Sequence, residues 1–181
     1  MRKVLFGTTN LNKVKEASEI LGVDVGSVNF EIDEVQSLDP VIVATKKSRA
    51  YFEKTKRAVF VEDVSLSFDQ LNGLPGTYIN DFAKAIGNQG LIKCIGKNGA
   101  RGAEAKVTIV YKDKAIEKIF VGRVKGIIAK KEKGSNGFGW DSIFIPEGSK
   151  KTFAQMSLTE KNKYSMRAIA FKKFHNWLKK K

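Results

Sequence analysis

The chain has 181 residues and carries 33 Lys and Arg against 19 Asp and Glu, a formal net charge of +14. With 42% hydrophobic and 29% charged residues it reads as a folded chain with material for a full core, and no apolar run is long enough to span a bilayer. A single cysteine, Cys94, excludes an intramolecular disulfide and a multi-cysteine metal site, and a single histidine, His175, in a C-terminal segment that reads as helix, makes Ser-His-Asp catalysis and histidine-rich metal sites poor candidates, so any chemistry falls to carboxylates and lysines.

"KVLFGTT" is a short apolar run of strand formers ending at Gly7. "NLNKVKEASEILG" follows with Val14, Ala17, Ile20 and Leu21 at helical spacing and Gly22 as its stop. "VNFEIDEVQ" alternates Val28, Phe30 and Ile32 against polar neighbours, which predicts a strand with one wet face. "DPVIVATKKSRAYFEKTK" opens on Asp-Pro, a helix start. "AVFVEDVSLSFDQL" begins as a continuous apolar strand, with the acids Glu62 and Asp63 at the end of that run. "INDFAKAIGNQGLIKCIG" is helical with a break near Gly87, and "AKVTIVYKDKAIEKIFVGRVKGIIA" is two strands around "KDKA". "NKYSMRAIAFKKFHNWLKKK" predicts one long amphipathic helix with Ile169, Phe171, Phe174, Trp177 and Leu178 on its apolar side. Alternating strands and helices followed by a hairpin predict an α/β fold with a mixed sheet, as a single domain over residues 1–181.

The N-terminal "MRKVLFGTTNLNK" has only three apolar residues in a row, too few for a secretory leader, which predicts a cytoplasmic protein. The positive balance points to a polyanionic partner, although the densest basic runs, "AKKEKG" and "LKKK", read equally as solvated faces.

Three clusters and a basic helix start could carry chemistry. "FGTTNLNK" sets hydroxyls and backbone N–H groups at a helix start, with Lys13 one turn in, which suits an anion. It is not a P-loop, and it reads equally as a capped helix. Glu62 and Asp63, with Glu31, Asp33 and Glu34 after another strand, could hold a hard cation such as Mg²⁺ or sit in a solvated loop. "GSNGFGWDSIF" offers aromatics beside an acid, for a flat heteroaromatic ring or simply for the core. In "EKNKYSMR", Lys161, Ser165 and Arg167 could donate to phosphate or carbonyl oxygens or form an ordinary basic helix start.

Taken together, "TTNLNKVKE", "VEDVSLSFDQLNGLPGTYI", "GFGWDSIF" and "EKNKYSMR" resemble, in order and spacing, the inosine triphosphate pyrophosphatase family, and its archaeal and eukaryotic branch in particular. The resemblance implies an elongated mixed sheet flanked by helices, with two lobes around a central cleft, usually as a homodimer. It implies Mg²⁺-dependent hydrolysis of ITP, dITP and XTP to monophosphate and pyrophosphate, with no obligatory nucleic acid and no membrane. Carried over by position, Thr8, Thr9, Asn10, Lys13 and Lys46 would hold the triphosphate, although the match around Lys46 is loose. Glu34, Glu62 and Asp63 would bind the metal, with Asp63 as general base and Lys13 beside it in catalysis. Phe138, Gly139, Trp140, Asp141, Lys161, Ser165 and Arg167 would meet base and sugar. One departure stands out: the family reads Ser-His-Arg where this chain has Ser165-Met166-Arg167, and methionine cannot donate a hydrogen bond. Two alternatives stay open on these residues: a basic nucleic-acid-binding protein on the same fold, and a pyrophosphatase of altered base preference.

Overall fold

The computed structural model describes residues 4–181. Its elements in chain order are β1 (Leu5–Gly7), α1 (Leu11–Leu21), β2 (Ser27–Val28), α2 (Pro40–Thr55), β3 (Val59–Phe68), β4 (Pro75–Gly76) and α3 (Ile79–Ile95). They continue with β5 (Gly102–Lys112), β6 (Glu117–Ile128), β7 (Phe144–Pro146), the single-turn α4 (Leu158–Lys161) and α5 (Met166–Leu178). One seven-stranded sheet runs in the order β2-β1-β3-β5-β6-β7, with β4 paired to β3 off that path. It is mixed: β1 pairs parallel with β2 and β3, while β3–β4 and β6–β7 are antiparallel. The α/β fold with a mixed sheet and flanking helices is therefore as the sequence predicts.

The chain divides into two compact units. The first holds the residues up to Asp63 together with Val107–Gly122 and Ala168–Lys181; the second holds Val64–Lys106 and Arg123–Arg167. In the first unit, strand alternation sorts the core into two faces. Leu5, Val59, Val61 and Val110 pack with Ala44 and Tyr51 of α2. Phe6 and Phe60 stack at 4.5 Å and receive Phe171 and Phe174 of α5, with Tyr111, Phe120 and Trp177 extending that aromatic layer. Gly7 is fixed by packing rather than by backbone freedom: a Cβ there would lie 2.7 Å from the Tyr51 ring. In the second unit, Trp140, Phe144 and Phe153 form a compact aromatic group of their own.

Local chemistry explains the elements that follow the sequence and those that depart from it. Asn10 and Asp39 cap α1 and α2, and Gly22 ends α1 in the left-handed region. Gly87 breaks α3 with φ 64° and ψ 176°. The "KDKA" turn closes on Asp113, whose Oδ1 accepts from the Ala115 and Ile116 amides. The strand expected from Val28 onward pairs only over Ser27–Val28. Beyond it Phe30 and Ile32 still pack on the core, but side chains take the backbone acceptors: Tyr51 donates to the Phe30 carbonyl and Lys54 to that of Glu31. The helix expected over 162–181 forms as one helix but only over Met166–Leu178, and just before that span the Ser157 hydroxyl starts a separate short helix, α4, by accepting from the Glu160 amide. Ile169 is 37% exposed rather than on the apolar side, since the buried stripe runs through Ala168, Ala170, Phe171 and Phe174 and position 169 falls nearly opposite.

Candidate active site

In the first unit, the acidic pair lies inside β3 rather than at its end. Val64, Leu66 and Phe68 continue the buried alternation, so the strand runs on through Phe68. Beside it β1 ends at Gly7, which pairs with Val61. The next residues turn into α1 under local hydrogen bonds: Thr8 Oγ1 accepts from the Asn10 amide at 3.1 Å, and Asn10 Oδ1 accepts from the Asn12 and Lys13 amides. Thr8 is buried and Thr9 exposed. This start of α1 brings the Lys13 ammonium to 3.2 Å from Glu62 Oε1, a carboxylate side chain that is fully buried.

Asp63 is the next residue of β3. Its Oδ2 is buried without a hydrogen-bond partner, and burial pushes the carboxyl up to about 7. The charges of Lys13 and Lys47 pull against that rise, and those of Glu34 and Glu62 add to it. Three acids and two lysines therefore share one electrostatic neighbourhood. Among the described residues, no three His, Cys, Asp or Glu side chains converge as a metal-holding group. Glu62 and Glu34 are each paired with a lysine instead.

The lysine facing these acids from α2 is Lys47, which donates to Glu34 Oε1, whereas Lys46 is exposed. Helical spacing explains the difference. Val43, Ala44, Ser48 and Tyr51 form the buried stripe of α2, and position 47 falls on it while 46 falls off. The resemblance, matched position by position, points to Lys46, whereas the 3.6-residue period of α2 points to Lys47.

The second unit collects the other cluster. Lys161 Nζ lies 2.7 Å from Asp141 Oδ2, and both side chains are almost wholly buried. The same oxygen accepts from the Phe138 amide at 2.9 Å, and the Lys161 ammonium sits 5.3 Å from the Phe138 ring centre. The Arg167 guanidinium lies 5.4 Å from that ring, and its amide donates to Ser165 Oγ. Phe138, Asp141, Lys161, Ser165 and Arg167 are thus brought together, with Gly139 in the left-handed region at φ 62° within the loop. Trp140 departs from the expected role at the base. It is 5% exposed and packs edge-on to Phe144, so it anchors the loop in the core and leaves Phe138 as the loop's partly exposed ring. Met166 is 2% exposed, and its thioether packs in the core with no hydrogen-bond donor to offer a base.

The sequence profile of the Ham1 family matches residues 4–177. The chain belongs to the Ham1 family. It is 39% identical to the dITP/XTP pyrophosphatase of Thermococcus kodakarensis, covering 98% of this chain and 97% of that one. It is 37% identical to the inosine triphosphate pyrophosphatase of Kluyveromyces lactis, over 97% and 95%. The Staphylococcus aureus Ham1 protein superposes with a TM-score of 0.83 at 27% identity, covering 98% of this chain and 99% of that one. A Ham1 protein from Coxiella burnetii shares the fold, with a TM-score of 0.88 at 24% identity and complete coverage of both chains. The resemblance read from four short motifs therefore extends over nearly the whole Ham1 chain.

Proposed function

We propose that this Ham1-family protein hydrolyses the non-standard purine nucleoside triphosphates ITP, dITP and XTP to the monophosphate and pyrophosphate. The observation that carries the reading is Asp63, a buried carboxylate with an unpartnered oxygen, raised to about 7 and surrounded by Lys13, Lys47, Glu34 and Glu62. A base working near neutral pH needs a proton affinity in that range. The pyrophosphatase names of relatives at 37% and 39% identity support the same reaction.

In this reading water adds to the α-phosphorus, the bond to the bridging oxygen breaks, pyrophosphate departs and Asp63 takes the water's proton. Lys13 and Lys47 offset triphosphate charge, and Thr8, Thr9 and Asn10 set the positive start of α1 toward phosphate oxygens. Asp63, Glu62 and Glu34 are oxygen donors of the kind a hard divalent cation takes, and Asp63 Oδ2 is unpartnered, while Glu62 and Glu34 would have to exchange Lys13 and Lys47 for the ion. Mg²⁺ held there would supply positive charge to the reacting phosphates. Phe138 offers a ring face to the base, the Asp141–Lys161 pair holds its loop, and Arg167 donates to O6 of hypoxanthine. Adenine carries a donor at that position and would leave buried donors unpaired, which is costly. The family resemblance supports a homodimer, and the single cysteine suits the reducing conditions of the cytoplasm.

The test is pyrophosphate release with Mg²⁺ from ITP, XTP, dITP, ATP and GTP, for the wild type and Asp63→Asn. Strong release from the first three, lost in the variant, is the expected result. Even release from all five would overturn the selectivity, and none from any would overturn the reaction.

A further inference from the structure

The loop that presents Phe138 and Asp141 has little intrinsic preference for its shape. Gly137 and Gly139 both sit at positive φ, 74° and 62°, so the backbone there is held by partners rather than by its own sterics. Part of the hold is internal, through Asp141 and the Phe138 amide. The rest comes from a residue 51 positions before Gly139 in the sequence. Gly87 breaks α3, and the next side chain, Asn88, points its amide nitrogen at the Gly139 carbonyl (2.9 Å), Ser142 Oγ (3.0 Å) and Glu132 Oε2 (3.3 Å). A carbonyl and a carboxylate can only accept, which fixes the amide orientation with nitrogen inward. Glu132 gathers the group: it also accepts from Ser142 Oγ at 2.8 Å and from Gln89 at 3.0 Å. Asn88 thus grips the loop at residues 139 and 142, on either side of Trp140 and Asp141.

We propose that Asn88, braced by Glu132, is a positioning residue for base recognition, fixing the loop from which Phe138 and Asp141 act. This rests on the reading of that loop as the base-binding element. The interaction needs a donor at position 88, not merely a side chain of that volume. Asn88→Ala removes the donor; Asn88→Asp keeps the shape but sets an acceptor against the Gly139 carbonyl and the Glu132 carboxylate. A packing role predicts that Asp is the milder change, and the proposed role predicts that Ala is.

The experiment uses the full chain, well below each variant's melting temperature. Steady-state pyrophosphate release from ITP and ATP is combined with acrylamide quenching of Trp140 in a Trp177→Phe background. For Asn88→Ala we expect the KM for ITP to rise about tenfold, with kcat changed less than about twofold, and the ITP-over-ATP preference to fall by a similar factor, the loss of about one net hydrogen bond. Asn88→Asp should exceed Ala in each effect, and Trp140 should become more quenchable in both. Unchanged KM and preference, or a wild-type profile in Asn88→Asp, would overturn the proposal. If the wild type releases no pyrophosphate, the functional reading fails instead; unchanged Trp140 quenching in both variants would then still overturn the anchoring role.

Discussion

At the scale of single residues, Asp63 carries opposing demands. Its native carboxyl titrates near 7, against an unfolded value of 3.8. Between those values the native state binds more protons than the unfolded one, so this group's contribution to stability is complete below about 4 and is lost as pH rises through about 7. In metal-free buffer, melting temperatures should show wild type losing stability relative to Asp63→Asn over that window, with the variant the more stable of the two at pH 8. The residue most needed for turnover would then be one that destabilises the resting fold, as buried functional acids commonly do. The two neighbouring lysines allow a separate comparison. Lys47 pairs with Glu34 and lowers the Asp63 carboxyl, whereas Lys46 is exposed. Lys47→Met should cut kcat/KM for ITP by about tenfold or more, and Lys46→Met should stay within about twofold, because a screened exposed charge contributes little. Comparable losses in both would show that the α2 stripe does not select the working lysine.

At the scale of elements, much of the fold was legible because local rules and tertiary packing agree. The Asp-Pro start of α2, the Gly22 stop of α1, the Gly87 break in α3 and the "KDKA" turn each act through their own backbone chemistry. The misreadings occur where packing decides. Nothing local distinguishes a paired strand from the extended run through Phe30 and Ile32, whose backbone acceptors are taken by Tyr51 and Lys54 from α2. The acids of β3 looked like a strand end because charge interrupts the apolar run, yet the alternation resumes at Val64. Trp140 shows a similar limit: a Gly-flanked aromatic suits a ligand or a core equally, and only the Phe144 and Phe153 rings assign it to the core. The site clusters were legible through their motifs. Asn88 was not, since its role depends on a loop more than forty residues away in sequence.

At the scale of the molecule, the net charge of +14 acts over distance rather than through contacts. The screening length falls from about 10 Å at 0.1 M ionic strength to about 3 Å at 1 M. Charges spread over the surface should therefore help gather a polyanionic substrate at low salt and cease to do so at high salt. Lys13, only 13% exposed, is screened much less. Raising KCl should thus raise the KM for ITP several-fold while kcat changes little. A kcat that falls in parallel would assign the excess charge to the chemistry instead. Tight salt-sensitive binding of random DNA without pyrophosphate release would favour a nucleic-acid role on this fold.

Gly7 has no reactive group, yet it sets a clearance on which reactive groups depend. The Tyr51 ring rests where a Cβ at position 7 would stand, and Lys47 lies one helical turn before Tyr51 on the same stripe of α2. Any larger residue at position 7 acts as a wedge: its Cβ would stand 2.7 Å from the Tyr51 ring, so the ring must give way. The smallest residue in β1 is therefore the spacer that sets how closely α2, the helix that also carries Lys47, can approach the strand.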